Sequence, residues 1–369
     1  MADNDSFDEV QALVLDLGSD MIKYGFSGDD NPRTVFPNIV GKTLSSNNVM
    51  IGMPVREYFV GDEAQCKRGG LEMIRPILNG IIQDLYLFEK VLHHACYNEL
   101  TVAPEDHPLL ITEHPFNPKK NREDILQIAM ETFNIPGVYF GIPGVLNSYA
   151  LGKSSGLFID CGCGVTSIVP VHNGEVLVKS IVRQNWAGDA CTDRLTQLLQ
   201  EIAIESTSRE VVESMKTHVR YKEYDTLYPE LAYIHHNKTD NENVSLYTQC
   251  MEPIFNPQIL GSELLGLHQL AMESLKSCKE STHKDLCNKI VLSGGCTMFP
   301  GFETRFLKEF TELIAPEIST NIIAPPNRKY TTWIGGSKFA ESFNFEKLMI
   351  SNKEYNEYGP NIAYRKCPL

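Results

Sequence analysis

Residues 157–164 read LFIDCGCG and are followed by VTSIVPVHNGEVLV at residues 165–178. The apolar run that ends in Asp160 predicts a buried strand, the glycines predict a tight turn, and Asn173-Gly174 is a strong hairpin signal. An acid and glycines at the end of a strand are typical of a loop that wraps a phosphate. The cysteines in this loop have three interpretations: metal ligands, redox groups, or small residues where chemistry has been removed.

The same pattern occurs near the N-terminus. QALVLD at Gln11–Asp16 predicts a buried strand, Gly18-Ser19 predicts a turn, and MIKYGFSGDD at residues 21–30 predicts a returning strand. Asp16 and Asp160 are 144 residues apart in a chain of 369. A strand, an acid, a glycine turn and a hairpin repeated at this distance predict two similarly built lobes, whose opposed turns grip one ligand from both sides.

Composition restricts the class of protein. The length favours two domains, and the apolar fraction of 42% is that of a globular protein. No uninterrupted apolar stretch approaches the ~18 residues of a membrane span, so none is expected. The net charge of −14 argues against general nucleic-acid binding. The acidic N-terminus, MADNDSFDEV, lacks the features of a secretory signal or a basic transit peptide and favours a cytosolic or nuclear location.

Cysteine and histidine do not predict a structural metal site. The ten cysteines are scattered along the chain, which favours free thiols over a disulfide framework. Cys161 and Cys163 form a C-x-C pair without nearby Cys or His partners, which makes a poor zinc site. His235-His236 lies in the polar stretch 228–244 without a third ligand, so we interpret both side chains as facing solvent.

Further elements are predicted between and after the two turns. Helices are predicted over Leu85–Leu100, Asn121–Phe133, Thr192–Ile204, Glu210–His218 and Glu263–Cys278. Asn121 is predicted to be an N-cap. KIVLSGG at Lys289–Gly295 predicts a buried strand that leads into a third phosphate or nucleoside loop, and TTWIGGS at residues 331–337 predicts another strand-to-turn run before a helix.

Several long stretches resemble actin and the actin-related proteins. They are FSGDDNPRTVFPNIVG (26–41), VGDEAQCKRG (60–69), NPKKNRE (117–123), ETFNIP (131–136), LSGGCTMFPG (292–301), IIAPPNRKYTTWIGGS (322–337) and EYGPNIAYRKC (357–367). The resemblance covers nearly the whole chain in order. It implies an α/β fold of the actin type, with two duplicated ribonuclease-H-like lobes around a nucleotide cleft.

Four subdomains are implied by the same resemblance. Subdomain 1 would comprise residues 1–37, 76–150 and 331–369, subdomain 2 residues 38–75, subdomain 3 residues 151–186 and 263–330, and subdomain 4 residues 187–262. Subdomain 4 would be shortened, because NENVSLYTQC runs directly into MEPIFNPQILG where actins have a strand pair around a turn.

A nucleotide site is also implied at the matching positions. Asp16 and Asp160 would hold Mg²⁺ through water, since this ion keeps much of its hydration shell. Bound ATP or ADP would contact Gly18, Ser19, Asp20, Lys23, Gly162, Gly164, Val165, Gly188, Lys216, Gly294, Gly295 and Lys329.

The positions where actins orient the attacking water have changed. Actins have a glutamine, an aspartate and a histidine where this chain has Pro143, Cys163 and Ser167. Proline offers no side-chain hydrogen bond, a thiol is a weak donor, and a hydroxyl is a poor proton acceptor. Losing one such group costs about 10²–10⁴ in rate. Hydrolysis is therefore expected to be lost or very slow, and the cysteines are interpreted as small residues in an altered turn.

Asp20 replaces a glycine of the first turn in the actin pattern. A carboxylate ~4 Å from a phosphate would cost about 1–4 kcal/mol of binding free energy. Alternatively, its side chain points away or binds Mg²⁺.

The leading hypothesis is a structural role as a cytoskeletal filament subunit, copolymer or cap in the cytoplasm, with a degenerate site that binds nucleotide weakly or statically, or not at all. Its partners would be itself or conventional actin, and actin-binding proteins. Lys42–Arg56 resembles the mobile loop of actin, and Asn256–His268 replaces its plug-like loop with similar apolarity. The alternative is a polymerising actin that hydrolyses ATP slowly. A sugar-kinase-like relative is disfavoured, because no acid is placed to activate a hydroxyl acceptor.

Overall fold

The computed structural model describes residues 10–44, 56–206 and 249–367, with side chains omitted for 199–206. The strands are β1 (Leu13–Leu17), β2 (Met21–Phe26), β3 (Thr34–Pro37), β4 (Val40–Thr43), β5 (Tyr58–Val60), β6 (Leu71–Ile74), β7 (Ile77–Leu78), β8 (Ile81–Ile82), β9 (Leu109–Thr112), β10 (Gly137–Gly141), β11 (Gly156–Cys161), β12 (Thr166–His172), β13 (Glu175–Val176), β14 (Val182–Gln184), β15 (Ile290–Ser293), β16 (Ile322–Ile323) and β17 (Ile350–Ser351).

Helices connect and cover these strands. The α-helices are α1 (Gly61–Cys66), α2 (Leu85–His93), α3 (Lys119–Gln127), α4 (Pro143–Leu151), α5 (Gly188–Ser206), α6 (Leu267–Lys276), α7 (Glu280–Cys287), α8 (Phe302–Thr311), α9 (Thr331–Ala340), α10 (Phe345–Leu348), α11 (Asn352–Tyr358) and α12 (Ala363–Lys366), besides a helical segment at 249–255. Two π-helical turns, His94–Leu100 and Ile128–Thr132, extend α2 and α3.

Within the described ranges, two six-stranded sheets form the centres of two lobes. The first sheet has the order β17-β10-β9-β1-β2-β3, and the second runs β13-β12-β11-β15-β16 with β14 also paired to β12. In both sheets a buried central strand, β1 or β11, pairs antiparallel with the next strand and parallel with a distant one. The predicted duplication is therefore visible in the sheet topology.

The two central hairpins share one register. Asp16 lies opposite Lys23 in the β1–β2 pair, and Asp160 lies opposite Ser167 in the β11–β12 pair. Shifting the first pair by 144 residues gives the second. The turn at Asn173-Gly174 has positive φ at both residues, as a two-residue hairpin of type I′ requires.

The helices α4 and α9 pack between the two sheets. Leu146 of α4 belongs to a buried cluster with Val14 and Trp333, and the Trp333 indole donates to the carbonyl of Val14 at 3.0 Å. On the other side of α4, a Cβ added at Gly144 would lie 2.5 Å from Val169 of β12. Both lobes therefore rest on the same helix, which fixes the position of their turns.

Two sequence predictions in this region are wrong. TTWIGGS is the start of helix α9 rather than a strand-to-turn run, because tertiary packing overrides its β-branched and aromatic residues. A Cβ at Gly335 would lie 1.9 Å from the carbonyl oxygen of Leu146, so glycine allows the two helices to approach. Asn121 is not an N-cap, since α3 begins at Lys119 and the Asn121 amide oxygen instead accepts from the Ile82 amide.

The other predicted helices are found with shifted ends where the structure describes them. The stretch Leu85–Leu100 is an α-helix that continues as a π-helix, and the helix expected from Glu263 begins at Leu267. The prediction over Thr192–Ile204 lies inside α5. The helix predicted over Glu210–His218 and the polar stretch 228–244 lie outside the described residues.

Candidate functional site

The turns of the two hairpins face each other across a cleft with an open volume of about 900 Å³. Among the predicted site residues, those that line the cleft are Asp16, Gly18, Ser19, Asp20, Lys23, Asp160, Gly162, Gly164, Val165, Gly294, Gly295 and Lys329. Residues from both halves of the chain thus meet at one place.

Asp16 is held by a cation and a hydroxyl at the end of β1. The Lys23 ammonium donates to its Oδ2 at 2.9 Å, and the Thr112 hydroxyl donates to its Oδ1 at 2.8 Å. Thr112 ends the parallel neighbour β9 and also accepts from the Leu17 amide at 2.9 Å. These two hydrogen bonds therefore hold the Asp16 carboxyl group in place at the lining of the cleft.

Asp160 has the same hydroxyl contact in the second lobe. Ser293, at the end of the parallel neighbour β15, donates to its Oδ1 at 2.7 Å, and Asn147 donates to the Ser293 hydroxyl at 2.7 Å. Burial raises the pKa of Asp160 to about 6, although the Ser293 hydrogen bond acts to lower it. The Asp160 carboxyl group therefore keeps its proton to a higher pH than an exposed aspartate does.

The cation of the first lobe has no counterpart in the second. Ser167 occupies the position equivalent to Lys23, is fully buried, and its hydroxyl has no hydrogen-bond partner among the described residues. Ser167 is not among the residues that line the cleft, and it lies opposite Asp160 and Arg183 in the strand pairing. A serine there does not supply the positive charge that Lys23 supplies beside Asp16.

The second turn is fixed through its carbonyl groups. The amides of Gly188 and Asp189, at the start of α5, donate to the carbonyls of Gly162 and Cys163 at 3.1 and 2.8 Å. The amides of Cys163 and Gly164 donate to no acceptor in the described part of the chain. A turn with its carbonyls occupied and its N–H groups available suits an anionic ligand.

The third loop follows β15 and contributes Gly294 and Gly295. Gly294 has φ +91°, and a Cβ there would lie 2.2 Å from the carbonyl oxygen of Cys161. A Cβ at Gly295 would meet nothing within 4 Å, so this residue borders open space. The Lys329 ammonium lies 5.0 Å from the Tyr330 ring centroid at the cleft wall.

Two of the three altered hydrolysis positions line the cleft. Pro143 is the first residue of α4, where proline is favoured because it needs no hydrogen bond from its nitrogen. Burial, together with the Asp20 and Asp189 carboxylates, raises the pKa of the Cys163 thiol well above its ordinary value. Neither side chain accepts a proton from water at neutral pH.

Asp20 lines the cleft and is paired with the Arg75 guanidinium. The Arg75 guanidinium lies 3.4 Å from its Oδ1 and donates to Asp189 Oδ1 at 3.0 Å. Of the two alternatives for Asp20, a side chain directed away from the ligand agrees with this contact. Arg75 was not singled out from the sequence, because its partners are 55 and 114 residues away.

His114 also lines the cleft and was not predicted. Burial, together with the nearby Arg183, lowers the pKa of His114 to about 4. Its Nδ1 is buried without a partner among the described residues, while its ring lies against Gly80. The site therefore contains a neutral imidazole beside Asp16 and Lys23 that no local sequence pattern revealed.

Three buried thiols lie behind the second turn. Cys191 and Cys296 have their sulfurs 3.9 Å apart, and Cys161 accepts from the Thr166 hydroxyl at 3.3 Å. No group of three or more metal-binding side chains was found among the described residues. The cysteines here pack as small apolar residues.

Two predicted contacts stay predictions. Gly188 contacts the second turn through its backbone but is not among the residues that line the cleft. Lys216 lies outside the described residues. For Mg²⁺ bound through water, the donor set of Asp16 and Asp160 on opposite walls fits, because this ion retains several waters and needs few protein carboxylates.

The family comparison agrees with the mixed α/β topology. A family model described as Actin matches residues 7–245 and 220–368. These two matches overlap and together extend over almost the full sequence. The resemblance and the actin-type α/β fold expected from the sequence are thereby confirmed: this chain belongs to the actin family.

Proposed function

We propose that this protein is a structural member of the actin family that holds ATP or ADP with Mg²⁺ and hydrolyses ATP very slowly or not at all. Its role would be that of a filament subunit, a copolymer with conventional actin, or a cap. Bound Mg²⁺ would supply positive charge between the two carboxylates and the phosphates. Asp16 and Asp160 would orient its waters, and Lys23 would contact the phosphates.

A single contrast within the cleft supports this proposal. The groups suited to holding a nucleotide, including Asp16, Lys23 and the glycine turns, line the same cleft. The positions that would orient an attacking water hold Pro143 at a helix start, the neutral thiol of Cys163, and the buried Ser167. Each lost proton-transfer group costs about 10²–10⁴ in rate.

The first experiment asks whether nucleotide is present and unchanged. The purified protein is denatured, and the released nucleotide is identified by chromatography. We expect ATP to be recovered largely as ATP after incubation that converts conventional actin to the ADP form. Recovery of ADP at the same rate would contradict a static site, and absence of any nucleotide would contradict binding.

A second candidate function is that of an actin that polymerises and hydrolyses ATP slowly, and one observation favours it. His114 presents a neutral imidazole to the cleft, and its Nδ1 has no partner in the described part of the chain. If His114 accepts a proton from water, turnover should fall at least about tenfold in His114→Gln, while nucleotide affinity stays the same. Equal, barely measurable turnover in both proteins would exclude this candidate.

Assembly is supported by an exposed apolar segment. The side chains of Ile259, Leu264 and Leu265 are 40%, 42% and 39% exposed, within the loop that replaces the plug-like loop of actins. Isolated exposed apolar residues are ordinary, but a cluster on one loop suits an interface. Sedimentation with and without conventional actin tests it: Leu264→Asp should reduce pelleting, and Leu313→Asp, at an exposed site on another element, should not.

The remaining parts of the proposal concern organisation and location. We propose the four subdomains with the limits given above, and a cytoplasmic, cytoskeletal location. The segment resembling the mobile loop lies largely outside the described residues. Of the helices described, none combines the length and the apolar character needed to cross a bilayer.

A further inference from the structure

Arg75 connects three segments at the edge of the cleft. It follows strand β6 directly, and its guanidinium lies between Asp20 of the first turn and Asp189 of helix α5. The nitrogen–oxygen distances are 3.4 Å to Asp20 and 3.0 Å to Asp189. The Arg75 side chain is 17% exposed, whereas the Asp20 and Asp189 side chains are 20% and 35% exposed, so the guanidinium is largely buried and Asp189 stays partly open to solvent.

The two acids are attached to the turns of opposite hairpins. Asp20 lines the cleft in the turn after β1. Asp189 lies in the first turn of α5, and its amide donates to the carbonyl of Cys163 at 2.8 Å. Through this backbone contact, Arg75 is joined to the second turn as well as to the first, and its side chain links the two lobes.

The charge on Asp20 would otherwise oppose a polyphosphate. An uncompensated carboxylate ~4 Å from a phosphate weakens binding by about fivefold to several hundredfold, depending on solvent screening. A guanidinium beside the carboxylate offsets this repulsion, since it is permanently charged and little exposed. The pairing also directs the Asp20 carboxylate towards Arg75.

We propose that Arg75 is a charge-compensating residue that allows a turn containing Asp20 to accept the phosphates of a nucleotide, while its second ion pair with Asp189 ties the lobes together. This rests on the proposed function, because it assumes that the cleft binds a nucleotide. It goes further in assigning the phosphate tolerance of the first turn to a residue outside that turn.

The test compares a charged and an uncharged ligand. Calorimetric titration with Mg-ATP and with adenosine is carried out on wild type, Arg75→Met, Asp20→Asn and the double variant. We expect Arg75→Met to lose at least about fivefold in Mg-ATP affinity and little in adenosine affinity. The double variant should regain most of the loss, since the carboxylate is gone. Arg33→Met, which breaks an exposed pair with Asp29, is the matched control.

Arg75→Lys separates the two roles and serves if Arg75→Met folds poorly. Lysine keeps the charge but presents a single ammonium, so it should retain part of the Mg-ATP affinity and lose the link to one of the two acids. Unchanged Mg-ATP affinity in Arg75→Met would overturn the proposal and leave the proposed function intact, as would an equal loss for both ligands without rescue by Asp20→Asn. Failure of wild type to bind Mg-ATP would overturn the proposed function and this inference together.

Discussion

The hairpin β1–β2 and the hairpin β11–β12 are two versions of one design. Each ends its first strand in an aspartate, and in each a hydroxyl from the neighbouring parallel strand donates to Oδ1 of that aspartate. They differ at the next position across the hairpin, where the first has Lys23 and the second has Ser167. The first lobe therefore holds an ion pair, and the second holds a carboxyl whose pKa burial raises to about 6.

The two hairpins therefore differ in how the charge of their aspartate is compensated. A carboxylate beside a lysine is already neutralised, so it adds little net charge to the cleft. A carboxyl without a nearby cation becomes fully ionised only when a cation or solvent compensates it. We therefore expect the charge state of Asp160 in the second lobe to respond to a bound cation.

The largest effect should come from removing the cation of the first hairpin. Lys23→Met leaves Asp16 buried and unpaired, which typically costs about 3–5 kcal/mol of the free energy of unfolding. Urea unfolding at pH 7 measures this loss. Lys42→Met, on the exposed face of β4, should change it by about 0.5 kcal/mol or less. Adding Asp16→Asn to Lys23→Met should recover much of the loss, and no recovery would show that packing of the lysine stem matters more than charge.

The pH dependence of the free energy of unfolding should distinguish the contribution of the Asp160 carboxyl group from that of the His114 imidazole. Because burial raises the pKa of Asp160 to about 6, from an ordinary 3.8, the ligand-free protein loses stability as pH rises through this interval. Because burial lowers the pKa of His114 to about 4, from 6.5, the protein loses stability as pH falls through that interval. Each effect amounts to about 3 kcal/mol when complete.

Two variants read these opposing effects separately. Because the two contributions oppose each other, the wild-type stability should be nearly level between pH 4 and 6. Asp160→Asn should become more stable as the pH rises from 4 to 7, and His114→Asn should become less stable, as measured by urea unfolding at unit steps of pH. The double variant should show a flat profile in this interval. If both single variants keep the wild-type slope, the two groups do not titrate differently in the folded and unfolded chains.

A smaller effect is expected from the hydroxyl groups that the two lobes share. Thr112→Val and Ser293→Ala each remove a hydrogen bond to a carboxyl group, worth about 1.5–3 kcal/mol. Ser293→Ala should also move the pH profile, since its hydrogen bond acts to lower the pKa of Asp160. Urea unfolding across pH tests this, and an unchanged pH profile in Ser293→Ala would contradict the assigned role of the serine.

The sequence predicted the hairpins because their signals are local. The buried strands β1 and β11 and the turn Asn173-Gly174 each depend on residues next to one another. The prediction of a strand-to-turn run at helix α9 was wrong because the local residue preference is for a strand. The helical form depends on the close approach of Gly335 to Leu146. The period of a short apolar run does not separate a buried strand from a buried helix.

The site was predictable in its glycines and acids but not in the groups that support them. Thr112 is 96 residues from Asp16, and Ser293 is 133 residues from Asp160. A serine or threonine at the end of a strand has no distinctive pattern, since its role arises only when the sheet brings two strands together. Arg75 and His114 were not predicted as site residues for the same reason, because their contacts are made with distant segments that meet only at the cleft.

The smallest effect should come from the serine that replaces the lysine. The Ser167 hydroxyl is fully buried without a partner in the described residues, so Ser167→Ala removes a desolvated group that forms no bond and should change the free energy of unfolding by about 1 kcal/mol or less, in the stabilising direction. Thr166→Val, on the same strand, is the matched control, because the Thr166 hydroxyl donates to the Trp186 carbonyl at 2.7 Å. Its loss should cost about 1 kcal/mol. If urea unfolding shows that Ser167→Ala is more destabilising than Thr166→Val, the Ser167 hydroxyl has a hydrogen-bond partner, such as a buried water. The second hairpin would then differ less from the first in its polar contacts.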